Sequence, residues 1–223
     1  VADRRGQPLN RERIVGAAIE LADAEGLDAV SMRRVAARLG AGAMSLYRHV
    51  SDKEQLVLEM AEELTARHAY PDDPGDLDWR GRIHLMARHD WDMYTSHPWI
   101  LTVVANLEPP VGPHGLAAME WALRAVEPLG LSLPASARAI MTVTHYLQGS
   151  ARMALSASGP SREDSDPGAA WQRRLGGADL SRYPRVQALV TSDYMAERGG
   201  RDWVTSGLDV VLDGIAAEAD RSR

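Results

Sequence analysis

The sequence predicts an all-α protein, with an N-terminal three-helix unit of helix-turn-helix type followed by a larger helical body. Three observations carry that prediction. Residues 31–53 read Ser-Met-Arg-Arg-Val-Ala-Ala-Arg-Leu-Gly-Ala-Gly-Ala-Met-Ser-Leu-Tyr-Arg-His-Val-Ser-Asp-Lys, which is a short helix, a glycine turn and a second helix. Apolar residues recur at helical spacing in segments opened by Asn10, Asp52, Asp78 and Pro134. No stretch shows the two-residue alternation of a half-buried strand, and no internal repeat is visible.

In order along the head, Asn10 to Gly26 reads as a capped helix with Ile14, Ala18, Leu21 and Ala22 on one face and Gly26 as its stop. Ser31 can accept the free N–H groups that open the next helix, and Gly40 can take the left-handed conformation that ends it. Small Ala36 lets this helix and its successor cross closely, with Val35, Leu39 and Leu46 as the apolar contact. The third helix is expected to begin near Ala43. A fourth runs from Lys53 to about His68, opened by Asp52 with Gln55 three residues on. Arg33, Ser45, Tyr47, Arg48, His49 and Lys53 remain outside, a basic, hydrogen-bonding set suited to phosphates and base edges. A helix pair around a glycine turn also occurs as a plain packing corner, and Tyr47 also reads as a packing residue.

Beyond a loop at residues 70–76, a helix is expected over 78–97 with Trp79, Ile83, Met86, Ala87, Trp91 and Tyr94 inward. Pro98 opens a short apolar helix from Trp99 to Asn106. A Pro-rich loop at 108–113 precedes a helix over 115–126, and a long helix runs over 134–157, with Pro at its start. Residues 158–168 read as a flexible linker. Short helices at 169–174 and 185–198 and a last helix over 201–219 complete the chain. The implied organisation is a basic arm at 1–9, a DNA-binding head at 10–53, a connecting helix at 53–68 and a body at 69–223.

Bulk composition narrows the class. At 223 residues with 45% apolar content the chain can bury a core built of Leu, Val, Met and Trp, since it has no Phe. The absence of Cys removes disulfides and thiolate metal sites and suits a reducing compartment. No apolar run reaches the roughly 20 residues of a membrane span, and Val1-Ala2-Asp3-Arg4-Arg5 has no signal-peptide core, so a cytoplasmic protein without a membrane partner is expected. The net charge of −6 divides unevenly: residues 1–53 carry +2 and the remainder −8. A basic head on an acidic body orients the molecule towards DNA.

The chain resembles the tetracycline-repressor (TetR) family of bacterial transcriptional regulators. The resemblance rests on residues 13–27, on Ser31-Met32-Arg33-Arg34-Val35-Ala36, and above all on Leu46-Tyr47-x-His49-Val50-x-x-Lys53-x-x-Leu56. It is strong over 10–68 and weaker over 203–215, which looks like the last helix of members with a tetracycline-repressor-type C-terminal domain. The resemblance implies that the start of the second helix and all of the third meet a major groove of a double-stranded DNA operator. Arg33 is then the candidate for a bidentate grip on guanine. Ala43 and Met44 would face base edges, while Ser45, Tyr47, Arg48, His49 and Lys53 would hold phosphates. Arg4 and Arg5 are candidates for a minor-groove arm, the other reading of 1–9 being a disordered tail.

The same resemblance implies a homodimer and a small-molecule effector. Leu208, Val211, Leu212 and Ile215, with Gly207 and Gly214 permitting close approach, are the candidate dimer seam together with helix 134–157. The stripe also reads as packing within one subunit. Met86, Trp91, Trp99, Asn106, Trp121, Met141, His145 and Gln148 are the candidate ligand-binding residues, each of which singly also reads as core. Tetracycline itself is not expected, because Ala69, Met86 and Val104 fall where the family's His, Asn and His hold its metal chelate. His84, His89 and Asp90 do not form a metal site, since a five-residue His spacing puts the rings on different helix faces. No cofactor and no catalytic residue is expected. The function implied is a ligand-responsive repressor, with an activator or ligand-independent DNA-binding protein as the alternative. An α-helical enzyme is opposed by the lack of any Glu-x-x-His pair, nucleophile elbow or phosphate loop.

Overall fold

A computed structural model of the chain describes residues 8–106, 112–157, 175, 177–190 and 200–222. The described residues are helical and contain no strand. The helices are α1 (Arg11–Glu25), α2 (Met32–Arg38), α3 (Ala43–Leu46), α4 (Lys53–Arg67), α5 (Trp79–Ser96), α6 (Ile100–Asn106), α7 (Pro113–Val126), α8 (Leu133–Ala157), α9 (Pro184–Val190) and α10 (Gly200–Arg221). Arg4, Arg5, the linker over 158–168 and the helix expected at 169–174 lie outside the described residues, as does the second half of the helix expected at 185–198.

The caps explain where the head's helices begin. Asn10 Oδ1 accepts from the Arg13 N–H at 2.9 Å, Ser31 Oγ from the Arg34 N–H at 3.3 Å, and Asp52 Oδ1 from the Gln55 N–H at 2.8 Å. The Gln55 side chain in turn accepts from the Ser51 N–H at 2.7 Å, one residue before the cap, which ties the entering chain to the first turn in the manner of a capping box. Gly26 and Gly40, at φ +85° and +65°, end α1 and the α2 turn in backbone that other residues rarely adopt. The third helix starts at Ala43 as expected but is only four residues long, and a turn from Tyr47 to His49 completes it.

Two compact units partition the chain. The first joins residues up to Leu77 with Leu85–Ala125, so the head and the helices α6 and most of α5 and α7 pack as one body. Its core includes Ile14, Ile19, Leu46, Leu56, Met60, Leu64, Met86 and Ile100. Helix α4 contacts both α1 and α6, so one helix is shared between the reading head and the helices above it. Helix α7 starts at Pro113, two residues earlier than expected, because the Glu62 carboxylate of α4 caps the N–H groups of His114 and Gly115 (2.5 and 3.2 Å).

The second unit joins Asp78–His84 to the residues from Val126 onward, with α10 packed along α8. Ala139, Val143, Leu147 and Ala151 of α8 are buried, as are Leu208, Leu212, Ile215 and Ala219 of α10. Asp209 and Asp213, a turn apart on α10, take His84 (2.9 Å) and Arg80 from the first turns of α5. The seam candidates Leu208, Leu212 and Ile215 are buried within one chain, where α10 packs on α8, and Val211 is half-buried, which fits the reading of the stripe as packing within one subunit. Val210, 72% exposed, and Gly214 and Ala217 form the face that stays open.

Gly207 and Gly214 of α10 differ for the same reason. A Cβ on Gly207 would run into the Tyr146 ring, whose hydroxyl donates to the Val204 carbonyl at 3.0 Å, whereas a Cβ on Gly214 would meet nothing within 4 Å. Gly207→Ala is therefore expected to lower stability by about 1–3 kcal/mol through overpacking. Gly16→Ala, at an equally roomy position inside α1, is expected to raise it by up to about 1 kcal/mol. Urea denaturation of both variants checks this pair, and equal effects at the two positions would refute the Tyr146 contact as the cause.

Candidate DNA interface and effector site

The head sorts its arginines into two groups. Arg34 holds both oxygens of Glu25 at 2.6 and 2.7 Å, which fixes α2 to the end of α1. That fork keeps the Glu25 carboxyl below its usual range. Arg38 reaches Glu20 at 3.3 Å. Arg11 donates to the His49 carbonyl at 3.1 Å and pairs with Glu59 at 3.3 Å, tying the turn after α3 to α1 and α4. Arg33, Arg48 and Lys53 are exposed, and among the described residues none of them has an ion-pair partner. Arg13 donates to the Pro8 carbonyl at 3.0 Å, so four arginines are tied within the unit, and among the described residues Arg33, Arg48 and Lys53 are left over on its surface.

The remaining candidates for the reading face lie around those cations. Met44 is 79% exposed on a four-residue helix, an arrangement that a folded core does not require. Tyr47 is exposed, while Ala43, Ser45 and His49 are half-buried. Lys53 sits at the first position of α4, where the open N–H groups and the helix dipole add positive potential.

The ligand-binding candidates are divided between the two units. Trp99 is buried and its indole N–H donates to Asp23 of α1 at 2.7 Å, and His97 Nδ1 meets the same carboxylate oxygen at 2.8 Å. Trp121 donates to the Pro71 carbonyl at 2.9 Å and its ring lies 4.8 Å from that of Tyr70. Met86 is buried and Trp91 half-buried on α5, and the Asn106 side chain lies outside the described residues. Met141, His145 and Gln148 belong to the second unit and share one face of α8, with Met141 51% exposed, His145 exposed and Gln148 half-buried. The buried stripe of α8 falls on Val143 and Leu147 rather than on Met141 and His145.

What the residue-by-residue reading missed is a buried carboxylate. Asp90 occupies a core position one turn beyond Met86, and Tyr70 donates its hydroxyl to it at 2.7 Å. Burial pushes the Asp90 carboxyl up to about 6, against which the Tyr70 hydrogen bond acts only in part. Burial and the neighbouring Asp90 keep the Tyr70 phenol protonated at any working pH. The signal was present in the pattern: Ile83, Met86, Ala87, Asp90 and Tyr94 follow one helical stripe, and an acid in that stripe is the exception. Asp23 and Glu62 carried no comparable signal, because each works through a partner far away in sequence.

Comparison with known proteins decides the family. Residues 14–60 match the model described as bacterial regulatory proteins, tetR family, and residues 70–219 match tetracyclin repressor-like, C-terminal domain. The chain belongs to the TetR family. The HTH-type transcriptional repressor DrrR1 of Streptomyces coeruleorubidus is 42% identical over 147 residues, which cover 66% of this chain and 54% of DrrR1. An HTH-type transcriptional regulator of Saccharopolyspora erythraea is 32% identical over 142 residues, covering 64% of this chain and 59% of its own length. The chain thus spans little more than half the length of these two relatives. Apo ActR from Streptomyces coelicolor shares the fold at a TM-score of 0.82 and 24% identity, with 97% of this chain and 99% of ActR covered. The complex of ActR with actinorhodin gives 0.80 at 25% identity, with 96% and 99% covered.

The pH dependence of this TetR-family chain's stability follows from Asp90. Below its ordinary value of 3.8 the carboxyl is neutral whether folded or unfolded and contributes nothing. As pH rises through the window from 3.8 to about 6 the unfolded chain ionises first, so stability falls. Above that window the full penalty, about 3 kcal/mol, is present. Asp90→Asn, which keeps an acceptor for the Tyr70 hydroxyl, is expected to stabilise the protein by about 3 kcal/mol at pH 7.5 and only about 1 kcal/mol at pH 4.5. Denaturant titrations at the two pH values read this directly, and a gain independent of pH would refute burial of the charge as its cause.

Proposed function

We propose that this chain is a ligand-responsive transcriptional repressor that binds a palindromic DNA operator as a homodimer. The observation that carries the reading is the set Arg33, Arg48 and Lys53, without an ion-pair partner among the described residues, on a helix-turn-helix whose other arginines are engaged within it. Arg33, at the start of α2, suits a bidentate contact to guanine, and Arg48 and Lys53 suit phosphates. The repressor name of DrrR1 and the actinorhodin complex of ActR support both halves of the reading.

Coupling runs through α4 and α1. Glu62 ties the middle of α4 to the N-terminus of α7, and Asp23 ties α1 to His97 and Trp99 at the start of α6. A ligand that moves α5, α6 or α7 pulls on those two ties and re-aims α2 and α3. It does so only by its difference in affinity for the two arrangements, typically about 1–3 kcal/mol.

Two-fold pairing supplies the second reading head, with half-sites about 34–36 Å apart. The seam in this proposal is the open face of the second unit. It combines Met141 and His145 of α8 with Val210, Gly214 and Ala217 of α10, where the unobstructed Gly214 admits a neighbouring helix closely.

Two experiments test the proposal. On genome fragments, Arg33→Ala is expected to cost about 1–3 kcal/mol at the preferred site and to relax its sequence. Lys53→Ala is expected to weaken all DNA alike and to lower the salt slope by about one. Equal losses on specific and random DNA for Arg33→Ala would remove it from base recognition. In sedimentation velocity Val210→Asp is expected to yield folded monomers, whereas Leu212→Ala keeps the dimer and loses about 2–5 kcal/mol of stability. A Val210→Asp dimer would place the seam elsewhere.

A further inference from the structure

Asp90 is, among the described residues, the one carboxylate at a buried position, with 8% of its surface exposed. One of its oxygens accepts from the Tyr70 hydroxyl at 2.7 Å, and the other has no partner among the described residues. Among the described residues, no guanidinium or ammonium contributes to its electrostatic surroundings. That second oxygen is not a sealed, unsatisfied atom, so the carboxylate is held by Tyr70 on one side and can be reached on the other, while its burial still disfavours the charge.

Its surroundings are aromatic. The rings of Tyr70 and Trp121 lie 4.8 Å apart at 44°, and the His89 ring meets Tyr70 edge-on at 5.9 Å. The donors at the ring edges are already committed: the Tyr70 hydroxyl to Asp90, the Trp121 indole to Pro71. Ring faces beside an open carboxylate oxygen attract a cation through both the formal charge and the ring quadrupole. An anion is repelled there, and a neutral ligand forgoes the charge-assisted bond. A metal ion finds too few ligands, since no group of three or more His, Cys, Asp or Glu side chains gathers anywhere among the described residues.

We propose that the effector of this regulator is a ring-bearing apolar molecule carrying a protonated amine, whose ammonium donates to the open oxygen of Asp90 beside the Tyr70 and Trp121 rings. The proposal rests on the ligand-responsive reading above and names the chemistry of its ligand. It also gives the ligand a lever. Tyr70 lies three residues beyond the end of α4, so an ammonium that competes for Asp90 acts on the segment leaving the connecting helix.

The test uses full-length protein and two matched probes, 9-(aminomethyl)anthracene and 9-anthracenemethanol, which share a ring system and differ by ammonium against hydroxyl. Calorimetry and quenching of tryptophan fluorescence read the ratio of their affinities. Wild type is expected to prefer the amine by about tenfold or more, since a charge-assisted bond is roughly twice as strong as a neutral one. Asp90→Asn is expected to bring the two probes to near-equal affinity, and Tyr70→Phe, which frees a second Asp90 oxygen, to keep or enlarge the amine preference. Because the readout is a ratio within one variant, a general loss of folding does not mimic it. No preference in wild type, no binding of either probe, or a preference that survives Asp90→Asn overturns the proposal. Binding to the preferred DNA fragment separates the two readings: if neutral or anionic ring compounds shift it and the amine does not, the amine inference falls and ligand response stands. If no compound of any charge shifts it, both fall.

Discussion

The first unit depends on one helix having two neighbours. α4 buries Leu56, Val57, Met60, Ala61 and Leu64 along a single stripe, and that stripe contacts α1 in the head and α6 above it. Each such side chain contributes about 1.5–3 kcal/mol by leaving water, against about 0–1 kcal/mol for an exposed ion pair. Packing therefore decides that the head and α6 move with α4, and the polar contacts decide only in which direction. A head with an independent core would fold as well, but it would have no reason to answer anything that happens at α5–α7.

The polar ties are few and act on helix ends. Glu62 places its carboxylate where the N–H groups of α7 are open, and Asp23 collects the donors of His97 and Trp99 on a single oxygen. Bonds of this kind, with an ionised acceptor, are directional and weaken steeply with displacement. A small shift of α6 or α7 is therefore felt at α1 and α4 as the loss of a defined bond rather than as diffuse strain.

The sequence made helix positions legible because caps and apolar spacing are local. Asn10, Ser31 and Asp52 cap the helices they were expected to cap, and the face of α1 buries the residues its periodicity selects. Periodicity marks burial but not the partner, which is why Leu208, Leu212 and Ile215 read as a seam and turn out to be internal. It also cannot distinguish arginines. Arg33 and Arg34 are neighbours of one type, and only the fold brings Glu25 to the second and, among the described residues, no ion-pair partner to the first. Among the candidate site residues the aromatic ones were visible by type, whereas the carboxylates that organise them, Asp23 and Asp90, owe their roles to partners 74 and 20 residues away.

Asp90 shows how the costs and the uses of a buried group separate. Replacing a buried ionised group by a neutral one of the same shape commonly leaves a protein more stable, so its presence is not explained by folding. The Tyr70 hydroxyl offsets part of the desolvation and fixes one oxygen of the carboxylate. A carboxylate prepared in this way binds a cation without first reorganising. The energy withheld from folding is then available to binding, and binding it raises the fraction of the regulator in whichever arrangement presents Asp90 best.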